Sequence, residues 1–258
     1  MCIAYIAFAT HPDWPLFIAA NRDEFHNRPT LAAAPWQSNS DVIGGIDCLG
    51  KGSWLGVTQQ GRFALLTNFR EPGKTNPTAP SRGELVSRYL DGDIATKRYM
   101  AEVHQQGAAY NGFNLLAGDA DSVWYVGNRS KQSEPERLAP GRYVVSNHLL
   151  NTPWPKAERL RRALDALPLD SLEQSLNPVF ALLKDLTPAD DDNLPATGLS
   201  LEQERLLSSP FIISPNYGTR CSTIIAMHAS GRVFFSEVSY NQAGVTTERH
   251  DWPFVTAV

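Results

Sequence analysis

Cysteine is scarce in this chain, and no two cysteines are close. Cys2, Cys48 and Cys221 are the only three in 258 residues. They are too few and too scattered for a disulfide framework. No C-x-x-C pair is present to suggest a zinc ribbon or a thioredoxin-type site. The six histidines form no H-x-x-x-H or H-E-x-x-H pattern, so no metal site is expected and a metalloprotease helix is excluded. Surplus basic charge is missing too: 23 Lys and Arg stand against 27 Asp and Glu, for a net charge of −4. Without extra cations to track phosphates, nucleic acid is not an expected partner. No apolar run approaches the ~20 residues of a spanning helix. Pro12, Asp13 and Pro15 interrupt the N-terminal apolar stretch where a secretory signal would continue. No stable membrane insertion and a cytoplasmic location are the expectations.

What is present begins at the second residue. Cys2 follows the initiator methionine and opens the apolar segment Cys2-Ile3-Ala4-Tyr5-Ile6-Ala7-Phe8-Ala9. A small second residue favours removal of Met1, which would leave a thiol and an α-amine on one residue. Their ordinary pKa values, about 8.5 and about 7.7–8.0, make proton transfer between them nearly balanced. Such a residue is a self-contained nucleophile and base. A retained Met1 would block the amine.

Strand and hairpin signals dominate. Residues 2–9 are followed by a turn at His11-Pro12-Asp13-Trp14 and a second apolar run from Leu16 to Ala20. The segment 52–58 is predicted to pair with 62–68 across Gln59-Gln60-Gly61. The segment 113–118 is predicted to pair with 123–127, and 221–228 with 233–240. Several runs are apolar at consecutive positions, as in strands covered on both faces. Helical periodicity places helices over 81–90, with Ser81 and Glu84 as a capping box, over 96–106, over the segment after Pro155, and over 171–186, broken or delayed by Pro178. Residues 188–195, with three consecutive aspartates, read as an exposed loop. No repeat or shift in composition marks a boundary, so residues 1–258 are expected to form one α+β domain of packed sheets with helices outside.

Polar residues gather at strand ends. Pairing residues 2–9 with 15–22 brings Asn21-Arg22-Asp23-Glu24 alongside the start of the first strand. An Asp there could orient the α-amine, and an Arg could favour the thiolate. Asn68 and Asn147, each ending an apolar run, suit an oxyanion. Arg220 could lower the Cys2 pKa or hold a substrate carboxylate. Cys48 and Cys221 read as structural.

Together, Met1-Cys2, Asn21 to Glu24, Arg28-Pro29, Gly52-Ser53-Trp54-Leu55-Gly56, Leu66-Thr67-Asn68, Ser146-Asn147 and Gly218 to Thr223 resemble the motifs of the NRDE proteins. That group includes the Transport and Golgi organization protein 2 relatives. The family in turn resembles the N-terminal-nucleophile hydrolases, especially the bile-salt hydrolase and penicillin V acylase branch. The resemblance implies a four-layer αββα sandwich. It makes Cys2 the nucleophile and Asp23 the partner of its amine. Asn68 by backbone and Asn147 by side chain would form the oxyanion hole, with Arg220 as the basic residue near the thiol. Arg22, Asn21 and Trp54 are the candidate substrate contacts. In the hydrolase branch an Arg lies three residues before the Asp, where this chain has Ala20. Arg22 precedes Asp23 directly, and strand alternation predicts that it does not replace the missing cation.

The leading expectation is a cysteine amidohydrolase that cleaves a linear amide or acyl group through a Cys2 thioester, with no cofactor required. Trp54, Phe69, Trp14 and Phe25 suggest a partly apolar pocket. The other expectation is a non-catalytic carrier of haem or an acyl lipid, since the family resemblance implies haem trafficking; His148 would be the conceivable axial ligand.

Overall fold

The computed structural model describes residues 2–256. Met1, on which the question of a free α-amine turns, lies outside them. In chain order the strands are β1 (Cys2–Phe8), β2 (Leu16–Phe25), β3 (Thr30–Pro35), β4 (Val42–Asp47), β5 (Leu55–Thr58) and β6 (Phe63–Asn68). Helices α1 (Gly83–Asp91) and α2 (Thr96–Gln106) precede β7 (Phe113–Gly118), β8 (Val123–Gly127), β9 (Glu136–Arg137) and β10 (Gly141–Val145). Helices α3 (Pro155–Asp165), α4 (Asn177–Leu183) and α5 (Leu201–Leu206) then lead into β11 (Tyr217–Met227), β12 (Arg232–Tyr240) and β13 (Thr246–Val255).

The strands form two antiparallel sheets. One has six strands in the order β10-β1-β2-β11-β12-β13, the other seven in the order β3 to β9. Three apolar cores separate four layers. Ala4, Ile6, Phe8, Leu16, Ile18, Leu65, Leu116 and Ile225 meet between the sheets. Ile3, Tyr5, Phe17 and Ala19 face Leu160 and Leu164 of α3 and Val179 of α4. Ala64, Leu66 and Leu115 face Leu85 and Tyr89 of α1 and Met100 of α2. Even- and odd-numbered residues of β1 thus serve opposite cores. This explains why the strand is apolar at every position: both faces are covered. The order helix, sheet, sheet, helix is the expected αββα sandwich.

The predicted hairpins form, with Val57 opposite Phe63, Gly118 opposite Val123 and Met227 opposite Val233. Strands β3, β4, β9 and β13 are additional to the sequence reading. Strand β13 is a largely exposed edge carrying Pro253 and several charges, which is how natural edges avoid further pairing. Helix α1 begins later than expected, at Gly83, and no side chain caps it. Glu84 instead accepts from the Tyr110 hydroxyl, so the Ser81–Glu84 box does not form. The capping box that does form is Ser200 with Gln203 at α5, in a stretch that reads as loop because the helix is too short to show periodicity. Pro178 delays the expected helix: a short 3-10 turn at Leu169–Glu173 precedes α4, which starts at Asn177.

Candidate active site

The register of the first hairpin builds the site. Cys2 lies directly opposite Arg22, and Ala4 opposite Ala20. Directly opposed residues on antiparallel strands share a face, and residues two apart on one strand share it too. Cys2, Arg22 and Ala20 therefore all face the gap between the sheets. Arg22 and Asp23 do diverge, as alternation requires. That divergence does not separate Arg22 from the thiol, because Cys2 stands on the Arg22 side. Positions 20 and 22 are equivalent in facing, so the expectation that Arg22 cannot stand in for a cation at position 20 is corrected.

Arg22 is buried and fixed. Its guanidinium stacks 4.3 Å above the Trp54 ring, and Nη2 donates to Asp47 Oδ2 at 3.2 Å. A desolvated stack of this kind contributes on the order of 2 kcal/mol. Gly45 makes room for the indole: a Cβ there would lie 2.1 Å from Trp54 Cη2. Asp47 also accepts from Arg28 Nε at 2.6 Å. The Arg28 bond leads the interactions that hold the Asp47 carboxyl below its usual range, against a larger opposing effect of burial.

Cys2 is half-buried at the wall of a cavity of about 390 Å³. Arg22, Asp23, Glu24, Trp54, Asn68 and Arg82 share that wall. Desolvation of the sulfur pushes the thiol above its ordinary value and the Asp23 charge adds to that; the Arg22 charge and a hydrogen bond from the Asp23 backbone pull it down. Ser146 Oγ donates to the Cys2 carbonyl at 3.0 Å, which pins the first residue of β1 to the end of β10.

Asp23 is buried, and its Oδ1 accepts from Thr219 Oγ1 at 2.7 Å. Burial raises its pKa, while Lys156 and the Thr219 bond lower it. Asn68 lines the cavity beside Cys2. Leu66 N–H points to Trp54 O and Phe69 N–H to Gly112 O, so alternation turns the Asn68 N–H to the β5 side, where the cavity opens. Asn147 is wholly buried and does not line this cavity. Its Nδ2 donates to Asn68 O at 3.1 Å. The side chain expected to face an oxyanion instead braces Asn68.

Three sequence expectations fall elsewhere. Arg220 sits in a bulge of β11, between Thr219 opposite Asp23 and Cys221 opposite Arg22. Its Nη1 donates to Phe25 O and Arg28 O at 2.9 and 3.3 Å, so the bulge aims it at a neighbouring turn and away from the thiol. Asn21 is buried on the helix side, donating to Leu183 O and Pro210 O at 2.8 and 2.9 Å and accepting from Ser222 at 2.6 Å. It ties sheet to helix and does not reach the cavity. His148 lines neither this cavity nor its neighbour. It shares a hydrogen bond with Thr152 and packs between Phe69 and Trp154. Of the other cysteines, Cys221 is buried as expected, whereas Cys48 is exposed on a turn. Trp14 belongs to the helix-side core.

The sequence reading missed Arg82, Arg28, Asp47 and Lys156. Arg82 belongs to the wall of the Cys2 cavity and also to that of a second cavity of about 430 Å³, walled by Phe25, Phe69, Leu206 and Leu207. Burial lowers its pKa, and a Cys2 charge would oppose that. Only the pairing Arg28-Pro29 hinted at any of these, because Arg82 comes from the loop before α1, Asp47 from the end of the unrecognised strand β4 and Lys156 from α3.

Two antiparallel sheets between helix layers, with a cysteine opening a central strand at a polar cavity, define the N-terminal-nucleophile hydrolase fold. The penicillin V acylase from Agrobacterium tumefaciens has this fold, with a TM-score of 0.51 at 13% identity over 91% of this chain and 82% of that one. Residues 1–242 match the family Transport and Golgi organisation 2, and the chain belongs to that family. The Transport and Golgi organization protein 2 homolog of Bos taurus is 40% identical, and that of Homo sapiens 38%, each over 93% of both chains. Among the described residues no helix is long and apolar enough to cross a membrane.

Proposed function

We propose that this protein is a cysteine amidohydrolase acting on a small linear amide or acyl compound. The observation that carries the reading is the placement of Cys2 in a cavity wall with Arg22 directly across the hairpin and Asn68 beside it. In the proposed reaction Cys2 Sγ attacks the acyl carbon, with the α-amine of a processed chain taking the thiol proton. Arg22 favours the thiolate. The Asn68 backbone N–H, braced through Asn147, receives the developing oxyanion. Collapse breaks the C–N bond, and the amine departs with the proton. Water, deprotonated by the same α-amine, then cleaves the thioester and releases the acid. Asp23 orients the α-amine, and Thr219 holds Asp23.

The acyl-carrier alternative draws support from the second, apolar cavity beside Arg82 and Asn68. A haem carrier has less, because His148 lies outside both cavities. Intact mass spectrometry after incubation with a panel of acyl amides and acyl thioesters separates the readings. An acyl adduct on Cys2 that is absent in Cys2→Ala, with release of free acid over time, supports hydrolysis. Tight binding equal in both forms, with no adduct, replaces it with the carrier. A chain that retains Met1 removes the proposed base.

A further inference from the structure

The polar cavity that holds Cys2 and the apolar cavity beside it meet along Glu24, Asn68, Thr75, Arg82 and Asn111, which belong to both walls. Among the arginines of these walls, Arg82 alone belongs to both, and it alone enters no ion pair among the described residues. Arg22 and Arg28 give their charge to Asp47, at 3.2 and 2.6 Å. Arg70 is paired with Glu204 at 2.7 Å. The acid shared by the two walls is engaged as well. Glu24 Oε1 accepts from the Phe25 N–H at 2.9 Å, and its Oε2 lies 3.9 Å from Arg28 Nε.

Arg82 is nevertheless held in place. Its Nη1 donates to Gly112 O at 2.9 Å, and the Phe69 N–H donates to the same oxygen at 2.9 Å. Two donors on one carbonyl set the guanidinium beside the Asn68–Phe69 peptide. The approach requires glycine at 112, where a Cβ would lie 2.6 Å from Glu71 Oε1 and 2.9 Å from Phe69 Cβ. Glu71 is not free to give way, because Arg129 holds it through Nε and Nη2 at 2.9 and 2.6 Å. The loop that carries Arg82 is fixed too: Asn111 Nδ2 donates to Asn76 O at 2.9 Å, and Asn111 Oδ1 accepts from the Asn76 N–H at 2.7 Å.

A fixed cation with donors to spare, between a polar and an apolar cavity, matches a ligand built in the same order. With an acyl carbon at Asn68, its chain has the apolar wall of Phe25, Phe69, Leu206 and Leu207 to cover it. An amino acid in the amine half carries its carboxylate one carbon from the amide nitrogen, within reach of a cation beside that peptide. A charge-assisted bond of this kind is about twice as strong as a neutral one. We propose that Arg82 is the specificity-determining residue of the Cys2 site: it holds the carboxylate of an N-acyl amino acid whose apolar acyl chain occupies the second cavity. The inference rests on the reading of Cys2 as a nucleophile and names the substrate class of that site.

The test separates binding from chemistry with three compounds. Octanoylglycine and N-ethyloctanamide share the chain and differ in the acid; N-acetylglycine keeps the acid and lacks the chain. Their binding is measured by calorimetry in the Cys2→Ala chain, alone and combined with Arg82→Gln or Arg82→Lys. Octanoylglycine is expected to bind about tenfold tighter than either of the others. Arg82→Gln should remove its advantage over N-ethyloctanamide and leave the neutral amide within about twofold, while Arg82→Lys restores part of the advantage. Equal affinity for octanoylglycine and N-ethyloctanamide with Arg82 present overturns the inference, and this comparison needs no variant of Arg82 to fold. An equal loss for both compounds in Arg82→Gln overturns it as well, and N-acetylglycine binding as tightly as octanoylglycine overturns the placement of the chain. In the chain with Cys2 intact, release of octanoic acid from octanoylglycine supports both readings. Arg82-dependent binding with neither release nor an adduct on Cys2 overturns the hydrolase and leaves Arg82 as the anchor of a carried acid.

Discussion

The two faces of strand β2 at its polar end differ more than neighbouring residues on one strand ordinarily do. Arg22 faces the gap between the sheets, where a charged, open cavity holds Cys2, Trp54, Asp47 and Arg82. Asn21 faces the helices, where its side chain is closed in by hydrogen bonds with Leu183, Pro210 and Ser222, while Asp23, which reaches the cavity wall, is held by Thr219. One face offers donors and acceptors to a ligand; the other spends nearly all of them on the protein. A four-residue signature that reads as one motif is split by the pleat, with Arg22 at the cavity and Asn21 committed to the helix side. Hydrogen bonds made in a closed, dry lattice hold position well, because leaving any member unsatisfied there is costly.

Breaking the open face should remove chemistry and spare the fold. Cys2→Ala is expected to abolish acyl-adduct formation completely with little change in melting temperature, as mass spectrometry and calorimetry would record. Breaking the closed face should do the reverse. Asn21→Leu leaves the carbonyls of Leu183 and Pro210 and the Ser222 hydroxyl without their partner. It should cost about 2–4 kcal/mol of stability, read by urea unfolding, and lower Cys2 reactivity only in proportion to unfolding. A smaller effect sharpens the open face: Arg22→Gln should raise the midpoint of Cys2 alkylation by about one pH unit, since the thiol loses the cation opposite it. If Arg220→Gln produced that shift and Arg22→Gln did not, the assignment of the activating arginine would be reversed.

The gap between the sheets also holds a buried acid away from the cavity. Glu237 on β12 accepts from Ala33 N–H of β3 at 2.7 Å and from Thr223 at 2.8 Å, joining the two sheets. Burial raises its pKa above the ordinary glutamate value, so the folded state holds this proton more tightly than the unfolded chain. Its contribution is fully present below the unfolded value and is lost as pH rises through the folded one. Stability should therefore fall across that window with a slope of up to about 1.4 kcal/mol per pH unit. Glu237→Gln should flatten the slope in denaturant titrations; a slope equal to that of the parent would show that Glu237 is not its source. The smallest effect is expected at the surface. Arg205→Ala, which breaks an exposed pair with Asp191, should leave the melting temperature unchanged within error.

Much of the fold was legible in the sequence because hairpins announce themselves locally. Gly61 and Gly231 stand at positive φ in their turns, and the apolar runs on either side leave one sensible register. Strands β3 and β4 were not legible: their alanines and glycines carry no strand signal, and they are strands through pairing with each other and with β5. The structure brings Cys2, Asp23, Asn68 and Trp54, all at or beside the ends of recognisable strands, to one cavity wall as their placement in the sequence suggested. The site was misread for Arg220, because one extra residue in β11 turns the side chain away. Asn21 was misread for a different reason: composition does not reveal which face of a pleat is wet.

Sequence alone determined most of the strands and hairpins, their packing into a sandwich, the cysteine at the head of the first strand and the family to which the chain belongs. These follow from alternation, turn chemistry and motif, each of which acts over a few residues. Tertiary structure decided which arginine stands opposite the thiol, that Asn147 supports Asn68 from within, and that Lys156 arrives from a helix more than a hundred residues away. Those outcomes depend on register across strands and on which layer covers each face. Such relations exist only once distant segments are packed together.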